Sequence, residues 1–332
     1  MSAAPALLAG RRRRLAALLA AVALGEALLA VLFAGTLDRM LAAPSDPVLP
    51  ALAAGGLALL ASLALLAQRW IGEDFAQSFV IDCREALFRA VTRHAGEGRD
   101  SRWLTGLIND MAALRNYALR GTVRLWTSMI SAGGAGLWVL LTMPAQRIAL
   151  LPLLLGALAL ALLASPLAQA IGEQRSQRGR LNRFLVRRVR AEMAGKRPAK
   201  GRGFRTLGNL SGDLGTLSVH RARWAGALDA VATLAGLAAA LTLGIKAVST
   251  GAGTALAGDL MLVAFIAARL LETARALHAR IGGGIALERL ERKLSRPVRG
   301  RGRGRGRERA SRSKPVGKRA ASEPTKIKES IS

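Results

Sequence analysis

Aromatic residues make up only 4% of these 332 residues, and there is a single tyrosine. Hydrophobic residues nevertheless reach 51%. The apolar content is therefore mostly Ala and Leu, which excludes the mixed aromatic core of an ordinary soluble globule. Arranged in blocks near twenty residues long, it is the profile of a polytopic helical membrane protein. Cysteine is almost missing. Cys83 stands alone, which rules out an intrachain disulfide and leaves the redox compartment open. It sits among apolar residues at helical spacing and reads as a packing residue. The three histidines, His94, His220 and His278, are scattered, so the sequence offers no cluster of the kind a metal ion needs. No catalytic cluster is visible either, which leaves an integral-membrane enzyme without residues to support it. Acidic residues are few: 21 Asp+Glu face 49 Lys+Arg, for a formal charge of +28. Such a balance suggests nucleic acid or an anionic surface. In a membrane protein the basic residues first of all set topology.

Six stretches are long enough to cross a ~30 Å hydrocarbon layer: 15–36, 48–69, 122–143, 147–169, 223–246 and 258–277. Without water to satisfy the backbone, each must be helical. The first follows "RRRR" (Arg11 to Arg14) like a signal peptide, but it is too long for a signal h-region. The connections after spans 1, 3 and 5 hold few bases (Arg39, Arg147, Lys246). Those after spans 2 and 4 are long and rich in Arg and Lys, and so is the C-terminus. This alternation predicts six passes with both termini in the cytosol. Trp70, Trp126 and Trp224 fall at the inner ends of spans 2, 3 and 5, where amphipathic rings favour the headgroup level.

The two long connections carry structure of their own. In residues 70–121, Phe75, Phe79, Cys83, Leu87 and Val91 recur every four residues. Leu104, Leu107, Ile108, Met111, Leu114 and Ala118 follow at steps of one to four. Both patterns are apolar helix stripes. Residues 170–222 repeat the scheme on either side of a Gly/Pro/Lys/Arg break. No proline interrupts either rising arm, so spans 2 to 5 are expected to continue unbroken beyond the membrane by ~30 Å. Residues 296–332 hold thirteen Lys/Arg against three Glu, net +10, with hardly an apolar side chain. Such a tail cannot offset its ordering entropy and is expected to be disordered. The expected organisation is a basic N-terminus (1–14), a six-helix membrane domain (15–295) and the tail (296–332).

This arrangement resembles the transmembrane domain of an ABC exporter of the six-helix half-transporter type. "DCREALFRAVTRH" resembles the end of the family's second helix through Arg84, Leu87 and Phe88. "GLINDMAALR" resembles the start of its third helix through Gly106, Asn109, Asp110 and Leu114. The stretch from "GDLMLVAF" to "ERLERKLSRP" resembles its sixth helix and exit, with Gly258, Leu260, Glu288 and Arg289. The likeness covers roughly residues 11–297. It implies an all-α fold, a homo- or heterodimer of membrane domains, a translocation path between them, and a bacterial-type inner membrane. It also implies short coupling helices at the loop tips that dock on an ATPase domain. Arg99, Asp100, Arg102 and Trp103 are the contact candidates at the first tip, and the second falls between Glu192 and Phe204. There the chain departs from the family pattern, reading "EMAGKRPAKGRGF" where an apolar stretch is usual.

A phosphate-cradling loop needs G-x-x-x-x-G-K-[ST], because backbone N–H groups, a lysine and a hydroxyl must converge on phosphates and Mg²⁺. "GKR" occurs at Gly195 and Gly317, each time without the hydroxyl. The expectation is that this chain binds no cofactor itself, with ATP and Mg²⁺ held by a separate nucleotide-binding subunit. The alternative is a non-transporting scaffold or regulator that kept the fold and lost the engine. Its tail would meet anionic inner-leaflet lipid or a cytosolic partner. No aromatic residue is interleaved in "RGRGRGRGR" to stack on bases, which argues against nucleic acid.

Within the spans, Glu26 lies ~18 Å deep, near the midplane. A carboxylate there is expensive and marks a bundle interior or a water-filled path. Two readings stay open: a lining group that meets cationic substrate or a proton, or a protonated acid bonded to a nearby backbone carbonyl. Glu272 and His278 are six residues apart, lie on different faces, and read as headgroup-level or cytosolic groups. The small-residue tracts at 53–56, 131–136 and 234–240 read as helix packing.

Overall fold

The computed structural model describes residues 5–42, 48–93, 111–144, 146–195, 200–250 and 256–295. The chain divides into two units, Met1–Ser295 and Arg296–Ser332, and the described residues all belong to the first. They form six helices: α1 (Arg11–Ala42), α2 (Val48–Arg93), α3 (Met111–Thr142), α4 (Arg147–Met193), α5 (Lys200–Thr250) and α6 (Leu256–Leu294). The protein is an all-α bundle and reads as a multi-pass helical membrane protein.

α2, α4 and α5 run 46, 47 and 51 residues without a break, or roughly 70 Å each at 1.5 Å per residue. Each joins an apolar half to a polar half, as the absence of proline from the arms predicted. α4 does contain Pro152 and Pro166, both in its apolar half, and stays continuous through them. α3 is less regular. Tyr117–Val123 forms a π-turn, where Thr122 Oγ1 donates to the carbonyl of Tyr117 at 3.1 Å.

Five helices, α1 to α5, are long and apolar enough to cross a membrane. α6 is not among them, although 258–277 was expected to be a sixth apolar stretch able to span. Asp259, Arg269, Glu272 and Arg275 all fall inside it. Position supplies the physical reason, because α6 touches each of the other five helices. A helix sheathed by its neighbours can carry charges that a lipid-facing helix cannot.

Two apolar clusters hold the bundle. The first joins Ala27 and Val31 of α1, Val139 of α3, Leu153 and Leu160 of α4, Leu228 of α5, and Leu262 and Ile266 of α6. The second lies toward the polar extensions. Phe75, Phe79, Cys83 and Leu87 of α2 are fully buried against Met111, Leu114 and Ala118 of α3 and Leu290 of α6. Every described member of the two sequence stripes is thus in the core, where α2 meets α3. Residues 104–108 lie outside what is described, and for Val91 only the backbone is described.

Arg11 and Arg12 do more than mark topology. Arg12, only 3% exposed, donates to the carbonyls of Leu7 and Ala6 and pairs with Asp82, while Arg11 reaches Asp74 at 2.5 Å. They fasten the start of α1 to the extension of α2. The apolar half of α2 behaves in the opposite way. No residue of its most apolar window is buried, and Leu49, Leu52, Leu59 and Leu66 stand exposed. Gly55 and Gly56 face open space, so these two glycines of the 53–56 tract pack on nothing among the described residues. The other tracts do pack: a Cβ at Gly134 would touch that of Ala27 at 3.2 Å, and one at Gly236 would overlap that of Ala267 at 2.6 Å.

Candidate functional site

The strongest concentration of buried polarity is a charged network where α1, α3 and α6 meet. Glu26 is 3% exposed and Arg269 8%. Arg269 Nη2 donates to Glu26 Oε2 at 2.8 Å, and its Nη1 donates to Glu272 Oε2 at the same distance. Ser131 Oγ contributes a further bond to Glu26 Oε2 at 3.2 Å and another to the carbonyl of Ala23 at 2.9 Å. The guanidinium also lies 5.1 Å from the centre of the Phe265 ring, within cation–π range. Thr273 Oγ1 bonds the Arg269 carbonyl and meets Ser128 Oγ of α3 at 2.9 Å.

Helix geometry explains why these groups converge. Arg269 and Glu272 are three apart on α6 and therefore neighbours on one face. That face meets α1 at Glu26 and, through Thr273, α3 at Ser128, while Ser131 of α3 reaches Glu26. A buried charge is tolerated only when paired and hydrogen-bonded. Here one cation serves two carboxylates, and Glu26 Oε1 keeps no partner among the described residues. Glu26 is bonded to a guanidinium and a hydroxyl, and no backbone carbonyl is among its partners in the described residues. It also lines a cavity of about 300 Å³ between α1, α2 and α6, together with Arg269, Phe33, Ala58, Leu65 and Phe265. Chemically, this is an acceptor and a cation held at the edge of an otherwise apolar chamber. Glu272, read from sequence as a peripheral group, belongs to the network through Arg269.

A second ring of polar contacts closes the far ends of the helices. The backbone N–H of Gly258 donates to Asp38 Oδ1 at 2.8 Å, and Gln146 Nε2 donates to Asp259 Oδ2 at 2.9 Å. A Cβ on Gly258 would overlap the Asp38 carboxylate and lie 2.5 Å from the Ala34 carbonyl, so α1 and α6 approach there only because no side chain intervenes. On the other side of the bundle, α3, α4 and α6 border an apolar cavity of about 950 Å³ that includes Met129, Gly133, Gly136, Leu154 and Leu270.

The coupling candidates sit elsewhere. Arg99, Asp100, Arg102 and Trp103 lie outside the described residues. Glu192 is near the end of α4 and accepts a bond from Arg188 Nε at 2.9 Å. Phe204, near the start of α5, is 73% exposed. The two helix ends are close, since the guanidinium of Arg188 would lie 2.9 Å from a Cβ at Gly203. Neither Glu192 nor Phe204 is among the partners of Glu26 or the lining of its cavity.

Sequence reasoning missed Arg269 and Ser131. A signal for Arg269 was present: it is the base nearest the middle of any of the six apolar stretches. Among the described residues, no group of three or more His, Cys, Asp or Glu could hold a metal ion. No family model matches the chain, and no curated protein matches it.

Proposed function

We propose that this protein is the membrane-spanning subunit of an ABC-type exporter, forming the translocation path with a second membrane domain. ATP hydrolysis would belong to a separate nucleotide-binding chain. The observation that carries this reading is the continuity of α2, α4 and α5 from apolar spans into long polar extensions. A rigid rod of that kind turns movement at the loop tips into rotation within the membrane, which a mere anchor does not need. The exposed apolar half of α2 and the α4–α5 extension, in which nothing beyond Gln177 is buried up to Met193, leave faces for a second copy. In this reading the termini and extensions are cytosolic and the membrane is a bacterial-type inner membrane. Arg99, Asp100, Arg102, Trp103, Glu192 and Phe204 meet the ATPase, and Glu26 with Arg269 borders the path.

Copurification tests it. The tagged chain is extracted gently from native membranes, and its companions are identified by mass spectrometry. A stoichiometric Walker-motif ATPase supports the split transporter and supplies the chain needed for a transport assay. In that assay Arg102→Glu or Trp103→Ala abolishes transport while insertion stays normal. Reproducible absence of such an ATPase, with the protein stably inserted, favours a non-transporting scaffold instead. The lack of G-x-x-x-x-G-K-[ST] in this sequence is the observation on the side of that rival.

A further inference from the structure

A third cavity, of about 420 Å³, opens where the apolar parts of α3, α4, α5 and α6 give way to their polar extensions. Arg120 and Arg124 reach it from α3, Arg175 from α4, Arg221 from α5, and Arg275 and His278 from α6. None of its thirteen lining residues is acidic. Arg221 Nη1 donates to Gln174 Oε1 at 2.9 Å, and Arg275 Nε lies 3.8 Å from Asp229 Oδ1. Arg120 and Arg124 form no side-chain bond or ion pair among the described residues.

Ordinary topology-setting bases point outward from separate loops. These come from four different helices and line one concavity. The backbone is shaped to allow it. Arg120 lies inside the π-turn, and π-turns are frequent at functional sites. Just behind it, α3 and α6 cross at very close range: a Cβ on Gly121 would lie 2.7 Å from the Arg280 Cα, and one on Gly283 would overlap Tyr117. That crossing sets Gly282 and Gly283 as the cavity floor, with no side chain to fill it. Five guanidiniums around an unfilled space repel one another, and an anion with several acceptor oxygens relieves that repulsion. Phosphate suits a guanidinium fork by geometry as well as charge.

We propose that this cavity binds a phosphate group, and that its source is the headgroup of an anionic phospholipid in the inner leaflet. The lipid source follows from depth. Each lining arginine is within about two turns of a span boundary, where headgroup phosphates lie. Ile171, Ala113, Ala276 and Ala279 add apolar wall beside the guanidiniums, which suits an acyl-bearing ligand better than a free ion. The inference goes beyond transport. It depends on the membrane reading and not on any ATPase.

The test uses the full chain in nanodiscs of phosphatidylcholine containing graded phosphatidylglycerol, with retained lipid counted by native mass spectrometry. Wild-type protein is expected to retain phosphatidylglycerol at low mole fraction. Arg120→Ala, Arg124→Ala and Arg221→Ala should each weaken retention about fivefold, and the Arg120→Ala/Arg124→Ala pair roughly 30-fold. Arg13→Ala, a base outside the cavity, should change nothing. Arg120 and Arg124 are exposed, so their removal leaves the packed core intact. Competition by millimolar inorganic phosphate, with equal protection in pure phosphatidylcholine discs, would overturn the lipid source and leave the phosphate chemistry. Unchanged retention in all three single variants overturns the proposal, and neither result bears on copurification of an ATPase.

Discussion

Arg269 holds two carboxylates, and its neighbours predict an asymmetry between substitutions. Arg269→Met leaves Glu26 buried with only Ser131 for support. Breaking a buried pair in this way costs about 3–5 kcal/mol. Glu26→Gln is milder, because Arg269 keeps Glu272 at 2.8 Å. The double variant should recover much of the loss, since neither charge is then stranded. Thermal unfolding of the four proteins in one detergent checks the order. Equal losses for the two single variants would show that Glu272 gives Arg269 no support. At Cys83, burial pushes the thiol up to about 12 despite the nearby Arg12. The reactive form is the thiolate, so maleimide should label the native protein very slowly at pH 8 and the denatured protein within minutes. Rapid native labelling would mean that the Phe75–Leu87 stripe opens readily.

His278 supplies a pH dependence with a definite sign. Burial, and secondarily the charge of Arg221, push its imidazole below the ordinary 6.5, while Asp229 acts in the opposite direction. Arg120, Arg124, Arg175 and Arg275 line the same cavity and add to the positive surroundings. The folded, empty site therefore disfavours the proton that an unfolded chain would hold. Stability is full above the ordinary value and falls as the pH drops through and below it. A bound phosphodiester reverses the preference, because it favours the imidazolium. Phosphatidylglycerol retention should rise as the pH falls below 6.5, and His278→Gln should flatten the profile. A flat wild-type profile would remove His278 from the site.

At the scale of the element, the close crossings give the sharpest expectations. Gly258→Ala puts a methyl group against the Asp38 carboxylate and the Ala34 carbonyl, and overpacking of this kind costs about 1–3 kcal/mol. Gly55→Ala meets nothing among the described residues, and by helix propensity should be neutral or slightly favourable. A loss of stability at Gly55 only in dimeric preparations would reveal a second copy against α2. Much at this scale was legible. Phe75, Phe79, Cys83 and Leu87 repeat at four because one side of α2 is buried, and the absence of proline told that the helices continue. The π-turn was not legible, because "YALRGTV" holds a single glycine, which a regular helix also tolerates. It arises from the approach of Tyr117 and Gly121 to α6, a tertiary contact that local sequence cannot express. Nor could the sequence tell that the apolar half of α2 stands exposed while one face of its polar extension is buried. Hydropathy reports what a segment prefers to touch, not whether the partner is lipid or protein.

For the molecule as a whole, the polar side chains collect in layers: a ring at Asp38, Gln146 and Asp259, the Glu26–Arg269 network in the middle, and the arginine cavity at the start of the extensions. α6 contributes to all three. Sequence reading reached the middle layer through Glu26, because one charge in an apolar run is conspicuous, and took Glu272 for a peripheral group. The cavity escaped it because its arginines come from four segments, each of which looks like an ordinary basic loop end.

The position of α6 governs how the protein is made. It is the last of the six helices to leave the ribosome, yet it is the one that all the others touch. Through most of synthesis, α1 waits in the translocon or bilayer with a carboxylate that has no guanidinium to meet. Closure of the bundle therefore waits until α6 has emerged, when Arg269 arrives and slots between helices already inserted. A stalled or shortened chain would be left with its hub missing and Glu26 stranded, ready for recognition by membrane quality control.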